Sequence, residues 1–289
     1  MVKNKMRSVV QLNRIRPSLL AASLLVLASV PLTAAANQLA EIKARGQLVC
    51  GTLSTTEPLG FTDAKTRQVV GFDVDICQAL ADQLGVKMVQ KSLSVEARIP
   101  ELQIGRVDVL SAALGYTAER EKQIDFSSSH FQVPLKVLVP ASAGYKTLAD
   151  LDGKRVGMTS GSTSEYWLRK SFPKIEVVTY HDSPAAFLAM EQRKISGQAF
   201  AQTSGMRYLQ AGKGKYVFID QAIAWEPNAL GIKKNEPELL AAVNGALENM
   251  EKDGQLETIW NKWLGSETSY KIKREHKLET LEQVRADLK

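Results

Sequence analysis

Ile76, Leu80 and Leu84, with Ala79 and Ala81 beside them, fall at helical spacing within the stretch that opens Gly71-Phe72-Asp73-Val74-Asp75. The spacing predicts a helix over 74–84. Asp73 or Asp75 would cap it, because a short carboxylate accepts from first-turn amides that have no intrahelical partner. Comparable patterns predict helices over 95–104, 164–170, 184–192, 236–253 and 255–262, and one short turn over 118–123. Between them lie brief apolar runs that read as strands, at 47–51, 69–70, 87–90, 107–111, 136–139, 155–158, 176–179, 199–200, 216–219 and 230–233. Strands alternating with helices argue α/β layering. No internal repeat or low-complexity stretch interrupts the pattern.

The first 36 residues stand apart. Lys3, Lys5, Arg7, Arg14 and Arg16 precede an uncharged run that ends at Ala34-Ala35-Ala36. A basic start, an apolar core and a small-residue end make a cleavable signal peptide over 1–36. Pro31 interrupts the core, which is short for a membrane span of about 20 residues. No cysteine follows the cleavage site, so the sequence gives no support for a lipid-anchored form. Cleavage also changes the charge. The chain of 289 residues carries +6, from 37 basic and 31 acidic residues, but the first 36 hold five of the basic ones and no acid. What remains, 32 against 31, is nearly neutral and gives no support for nucleic acid or an anionic membrane as partner.

Three stretches, taken together, are more specific. They are Gly71 to Leu84, Arg98-Ile99-Pro100-Glu101-Leu102-Gln103-Ile104-Gly105-Arg106-Val107-Asp108-Val109, and Thr117-Ala118-Glu119-Arg120-Glu121-Lys122-Gln123-Ile124-Asp125-Phe126-Ser127. In this order and spacing, from about Leu48 to Trp263, the chain resembles bacterial extracellular solute-binding protein family 3, the polar amino-acid-binding receptors of ABC importers. The resemblance implies a two-lobed type II periplasmic-binding-protein fold, each lobe a mixed sheet flanked by helices, with two chain segments as hinge. It places lobe one at 37–132 and 230–266, lobe two at 133–229, and a C-terminal extension at 267–289. The crossings map near 131–134 and 227–231. It further implies a periplasmic monomer that holds an amino acid or related carboxylate-bearing solute and delivers it to an inner-membrane permease, without cofactor, metal or catalysis. A periplasmic dehydratase-like enzyme on the same fold is the alternative. His130 and His181 have no partners at triad or metal spacing.

The resemblance also assigns residues. Arg120 falls where the family places the arginine that clamps the ligand's α-carboxylate, and a guanidinium offers both carboxylate oxygens parallel donors. Gly161, Ser162 and Thr163 lie in a turn after the strand at 155–158, at a helix opening whose free amides and hydroxyls suit an anion. Arg98 is either a second cleft guanidinium or a surface residue, and Phe61 either a ring over the ligand or core. At Ala112-Ala113-Leu114-Gly115 the family's usual hydroxyls are missing, so Gly115 and its neighbours offer backbone groups alone. Relatives carry an acid for the ligand's ammonium where this chain reads Gln202-Thr203. Glu226 stands near the returning crossing; either it or another carboxylate compensates, or the ligand carries a weaker, substituted or absent amine. These features favour an acidic or polar amino acid, or a derivative, over a cationic one.

Two further expectations concern covalent and terminal structure. Cys50 and Cys77 survive cleavage into an oxidising compartment, on a strand and a helix that should be neighbours, and are expected to pair. The bridge would close 28 residues, worth roughly 3–4 kcal/mol by chain entropy. Beyond Gly265, Leu278, Leu281, Val284 and Leu288 keep helical spacing. This tail is either an amphipathic helix packed on the body or a partner, or a solvated end.

Overall fold

The computed structural model describes residues 37–288; the signal peptide expected over 1–36 lies outside the described residues. The first part of the chain gives α1 (Gln38–Arg45), β1 (Gln47–Thr52), β2 (Thr55–Thr56), β3 (Gly60–Thr62), β4 (Val69–Val70), α2 (Phe72–Leu84), β5 (Lys87–Ser92), α3 (Arg98–Gln103), β6 (Val109–Leu110), α4 (Ala118–Glu121) and β7 (Asp125–Pro140). Then come β8 (Arg155–Thr159), α5 (Thr163–Ser171), β9 (Glu176–Tyr180), α6 (Ser183–Glu191), β10 (Gly197–Ala201), α7 (Gln202–Ala211), β11 (Tyr216–Phe218) and β12 (Ala224–Ile232). Three helices follow: α8 (Pro237–Lys252), α9 (Gln255–Trp263) and α10 (Leu281–Asp287). None of the described helices is long and apolar enough to cross a membrane.

The main sheet runs β5-β1-β6-β12-β7-β10-β8-β9, with β11 beside β7. β1 pairs in parallel with β5 and β6, and β8 in parallel with β9 and β10. The antiparallel ribbon β7–β12 joins these two parallel triads, with Gln132 opposite Pro227 and Val133 opposite Glu226. Both ribbon strands change cores along their length. On β7, Phe131 and Val133 pack with Phe72, Leu80, Leu247 and Trp260 from α2, α8 and α9. From Leu135 onward, Val137 and Val139 pack instead with Val156, Met158 and Leu168. On β12, Leu230 and Ile232 join the first core and Ala224 the second, with Ile223 just before the strand. Each buried side chain of this size contributes roughly 1.5–3 kcal/mol of transfer free energy; these are the two largest apolar clusters among the described residues, beside smaller ones around Leu110 and Phe126 and around Phe200 and Tyr208.

The expected cap of α2 is corrected. Phe72 is buried in the core and draws the helix start forward, so its N-cap is Gly71. Gly71 has φ 139°, a left-handed value, and a Cβ there would lie 2.3 Å from the Leu59 carbonyl oxygen, so only glycine fits. The two carboxylates therefore fall inside the first turn and are used elsewhere. Asp73 is buried and accepts from the Ala113 amide at 2.7 Å and from Ser111 Oγ at 3.4 Å. Asp75 accepts from Trp263 Nε1 at 2.7 Å and Lys262 Nζ at 2.6 Å.

Other expected elements differ in extent. The strand expected over 136–139 is the end of the sixteen-residue β7. Its earlier part, Ser127-Ser128-Ser129-His130, lacks strand-like apolar alternation. It is extended because β12 pairs with it and its hydroxyls bond the backbone; Ser127 Oγ accepts from the Leu230 amide at 2.9 Å. The helices α1 and α7 are absent from the sequence reading. The Gln202-Thr203-Ser204-Gly205 opening of α7 has no apolar period, and burial of Thr203, Gly205 and Tyr208 selects the helix.

Cys50 and Cys77 form the expected disulfide between β1 and α2, with Cα atoms 6.2 Å apart. Of the two outcomes open for the tail, packing on the body is the one observed. Val284 of α10 is fully buried, with Leu281 and Leu288 beside Tyr116, Ile124 and Phe126. Glu279 pairs with Ser129 as a backbone bridge, and buried Arg274 donates to the His130 carbonyl at 2.8 Å.

Candidate ligand-binding site

A cavity of about 70 Å³ opens where the β7–β12 ribbon passes between the two cores. Its walls come from both sides of the switch. Leu53, Thr56, Val95, Arg98 and Ala113 face Thr159, Ser162, Thr163, Ser183, Phe200 and Ser204, with Leu135 and Glu226 from the ribbon. Arg98 is 3% exposed, Arg120 9% and Glu226 5%, so three ionisable groups lie together out of water. A buried charge is costly unless hydrogen-bonded and offset by opposite charge; the guanidiniums are bonded to backbone carbonyls and both feel the Glu226 charge.

Arg120 projects from α4, whose N-cap Thr117 accepts from the Arg120 amide. Its Nη1 donates to the Gly115 carbonyl at 2.6 Å and to Thr163 Oγ1 at 3.0 Å, and its Nη2 to the Gly161 carbonyl at 2.8 Å. Arg120 does not itself line the cavity; it stands one hydrogen bond behind the wall residue Thr163. Arg98 opens α3. Its Nε donates to the Val95 carbonyl at 2.9 Å, Nη1 to Ala112 and Ala113 at 2.8 and 2.7 Å, and Nη2 to Gly161 at 3.2 Å. The Gly161 oxygen thus receives both guanidiniums from across the cleft. Burial lowers both arginines, Arg98 to about 9, where the Arg120 charge adds to the effect and Glu226 and Asp73 oppose it. A guanidinium is basic enough to keep its charge in a protein at neutral pH.

Glu226 is the counter-charge. Burial raises its carboxyl above the usual range, while the Thr163 hydroxyl, Arg120, Arg98 and Asn228 draw it back. It sits against Gly115, where a Cβ would come within 2.3 Å of Glu226 Oε1, so a side chain at 115 would displace the carboxylate.

The residues expected from sequence are distributed unevenly. Arg98, Ser162, Thr163 and Glu226 line the cavity, and Gly115, Gly161 and Arg120 form the hydrogen-bonded layer behind it. Ser162 also caps α5, accepting from the Glu165 amide. Phe61 lies elsewhere: its ring packs edge-to-face on Trp263 at 5.9 Å, and Leu53 and Thr56 take the wall expected of it. Gln202 and Thr203 line a separate cavity with Trp225, Trp260, Lys273 and His276. Ser204, one residue on, faces the main cavity instead. It went unseen because α7 did, and Leu53, Val95 and Ser183 carry no motif that would announce them.

Residues 48–266 match the bacterial extracellular solute-binding proteins, family 3. The chain belongs to that family. This solute-binding protein is 30% identical over 233 residues to the ABC transporter glutamine-binding protein GlnH of Bacillus subtilis (strain 168), covering 79% of this chain and 85% of that one. The solved solute receptor for L-cysteine of Neisseria gonorrhoeae superposes with a TM-score of 0.78 at 26% identity, over 83% of this chain and 98% of the other. An ancestral amino acid-binding protein, a precursor of cyclohexadienyl dehydratase, does so with a TM-score of 0.73 at 31% identity, over 78% and 99%. The fold is the two-lobed type II arrangement, with the β7–β12 ribbon as its two-segment hinge.

Proposed function

We propose that this protein is the periplasmic receptor of an ABC importer and that its ligand is an amino acid held between lobe one (37–132 and 230–266) and lobe two (133–229). The observation that carries the reading is one interlobe cavity walled by the buried Arg98 guanidinium and Glu226 carboxylate, with the buried Arg120 guanidinium one hydrogen bond behind its wall at Thr163. Arg120 has engaged three of its five N–H donors, leaving those at Nε and one at Nη2 for the two oxygens of an α-carboxylate. Thr163 and the opening of α5 approach from the other lobe, so one carboxylate ties both halves together. Glu226 accepts the ammonium, the role that Gln202 and Thr203 would otherwise have filled. A ligand touching both lobes favours the closed form by its differential affinity, and a closed form is what a permease can distinguish.

The importer role follows the names of the relatives, which bind amino acids for ABC transport. Dehydratase-like chemistry would need a positioned acid or base. Among the described residues the walls hold one carboxylate, Glu226; burial raises it, the two arginines draw it back, and the reading assigns it to the ligand's ammonium. Arg120→Ala tests the reading. The folded variant should lose about 2–5 kcal/mol of binding free energy, seen by titration calorimetry against the wild-type ligand. Near-native affinity in that variant would overturn the assignment of the carboxylate to Arg120.

A further inference from the structure

The walls of the cavity also bear on the ligand's side chain. Four of the five Arg98 N–H donors are engaged with the carbonyls of Val95, Ala112, Ala113 and Gly161. One donor remains, which is too few for the two-pronged grip that a second carboxylate needs. An acidic side chain would therefore enter the cavity without a full partner. A cationic side chain meets the opposite obstacle. Among the described residues Glu226 is the single carboxylate in the walls, and it is the group available to the α-ammonium. Asp73 is 2% exposed, does not line the cavity, and accepts from Ala113 and Ser111. A lysine or arginine side chain would lie in the cleft with no counter-charge, and a buried cation without one is costly.

What is left is apolar and hydroxyl surface: Leu53, Val95 and Phe200 with Thr56, Ser183 and Ser204. Ser183 is already bonded through its hydroxyl and carbonyl to Gln198 Nε2, at 2.9 and 3.0 Å. Size narrows the class further. An apolar protein cavity of about 150 Å³ accepts benzene, and this one is about 70 Å³. From these walls we infer that the protein selects amino acids with small, uncharged side chains, of the size of alanine, serine or cysteine. Of the sequence expectation of an acidic or polar amino acid, this keeps the polar side and sets aside the acidic one, because three of the Arg98 donors are occupied by its own lobe. The inference rests on the amino-acid reading given above.

Titration calorimetry of the protein, unfolded and refolded to strip carried-over ligand, against the twenty amino acids tests it. Alanine, serine or cysteine should bind at least about 100-fold more tightly than aspartate, glutamate, lysine or arginine. Tightest binding by a charged amino acid, or by a neutral one as large as glutamine or phenylalanine, overturns the side-chain inference and leaves the amino-acid reading standing. Absence of binding by all twenty at millimolar concentration, in protein with a native circular-dichroism spectrum, overturns the amino-acid reading itself.

Discussion

Arg98 and Arg120 lie in one cleft and share one acceptor, the Gly161 carbonyl, yet they are built into the molecule differently. Arg98 spends three donors within its own lobe, one on Val95 and two on a loop that includes Ala113 in a left-handed conformation with φ 47°. Behind that loop stands Asp73, buried and bonded to the Ala113 amide. Arg120 spends one donor at home, on Gly115, and two on the opposite lobe. Behind it is only the single turn of α4, whose outer side meets the C-terminal extension. One guanidinium therefore holds a loop in shape. The other reaches across the gap, and the two should answer differently to the same substitution.

The largest effect on folding is expected at Arg98. Truncation in Arg98→Ala leaves the Val95, Ala112 and Ala113 carbonyls without their donor and Asp73 without the nearby positive charge. Removing one member of such a buried network costs about 3–5 kcal/mol. Urea denaturation should show this loss for Arg98→Ala and a clearly smaller one for Arg120→Ala. Equal losses would mean that the two arginines are equivalent structural struts.

That contrast also marks how far the sequence could be read. The three motifs and their spacing were enough for family and fold, because strand–helix alternation and the Thr117 to Phe126 stretch are local signals. The role of Arg98 was not legible, since its acceptors are backbone carbonyls whose positions depend on the fold of 112–115. Asp73 was misread as a helix cap for the same reason: its partner is forty residues away. Gln202 was placed by correspondence with relatives. The local geometry of α7 turns Gln202 and Thr203 to a second cavity and brings Ser204 to the first.

A second, smaller effect distinguishes what supports Arg98. Burial pushes the Asp73 carboxyl up to about 7, with the Ala113 and Ser111 bonds and the Arg98 charge drawing it back. The folded state thus binds a proton that the unfolded chain releases near pH 4. The stability from this group is fully present below pH 4 and is lost as pH rises to 7. Asp73→Asn keeps an acceptor for the Ala113 amide but has no proton to lose. Its stability deficit relative to wild type should therefore shrink between pH 5 and pH 8, by about 1–3 kcal/mol. Denaturation curves at the two pH values check this. A deficit that grows with pH would show that Asp73 works as an ionised partner of Arg98 instead.

The smallest effect is expected behind Arg120. Glu121 follows it on α4 and accepts from Tyr116 Oη at 2.6 Å and from Arg285 of α10, which pairs with both carboxylate oxygens. Burial raises the Glu121 carboxyl, but the Arg285 and Tyr116 bonds outweigh it and leave it below its ordinary value. The pair contributes above about pH 4.5 and is lost on acidification. Arg285 is nearly half exposed, so water and salt screen the attraction, and such pairs contribute about 0.2–1 kcal/mol. Val284 and Leu281 fix α10 by apolar burial in any case. Arg285→Ala should then lower ligand affinity about two- to fivefold at low salt, because α4 holds Arg120 less firmly. The difference should vanish near 1 M salt, where the screening length falls to about 3 Å. Calorimetry of both proteins at low and high salt measures it. A loss of tenfold or more that persists at high salt would mean that the extension positions Arg120 through its apolar contacts, and that the guanidinium reaching across the cleft is braced as firmly as the one that holds the loop.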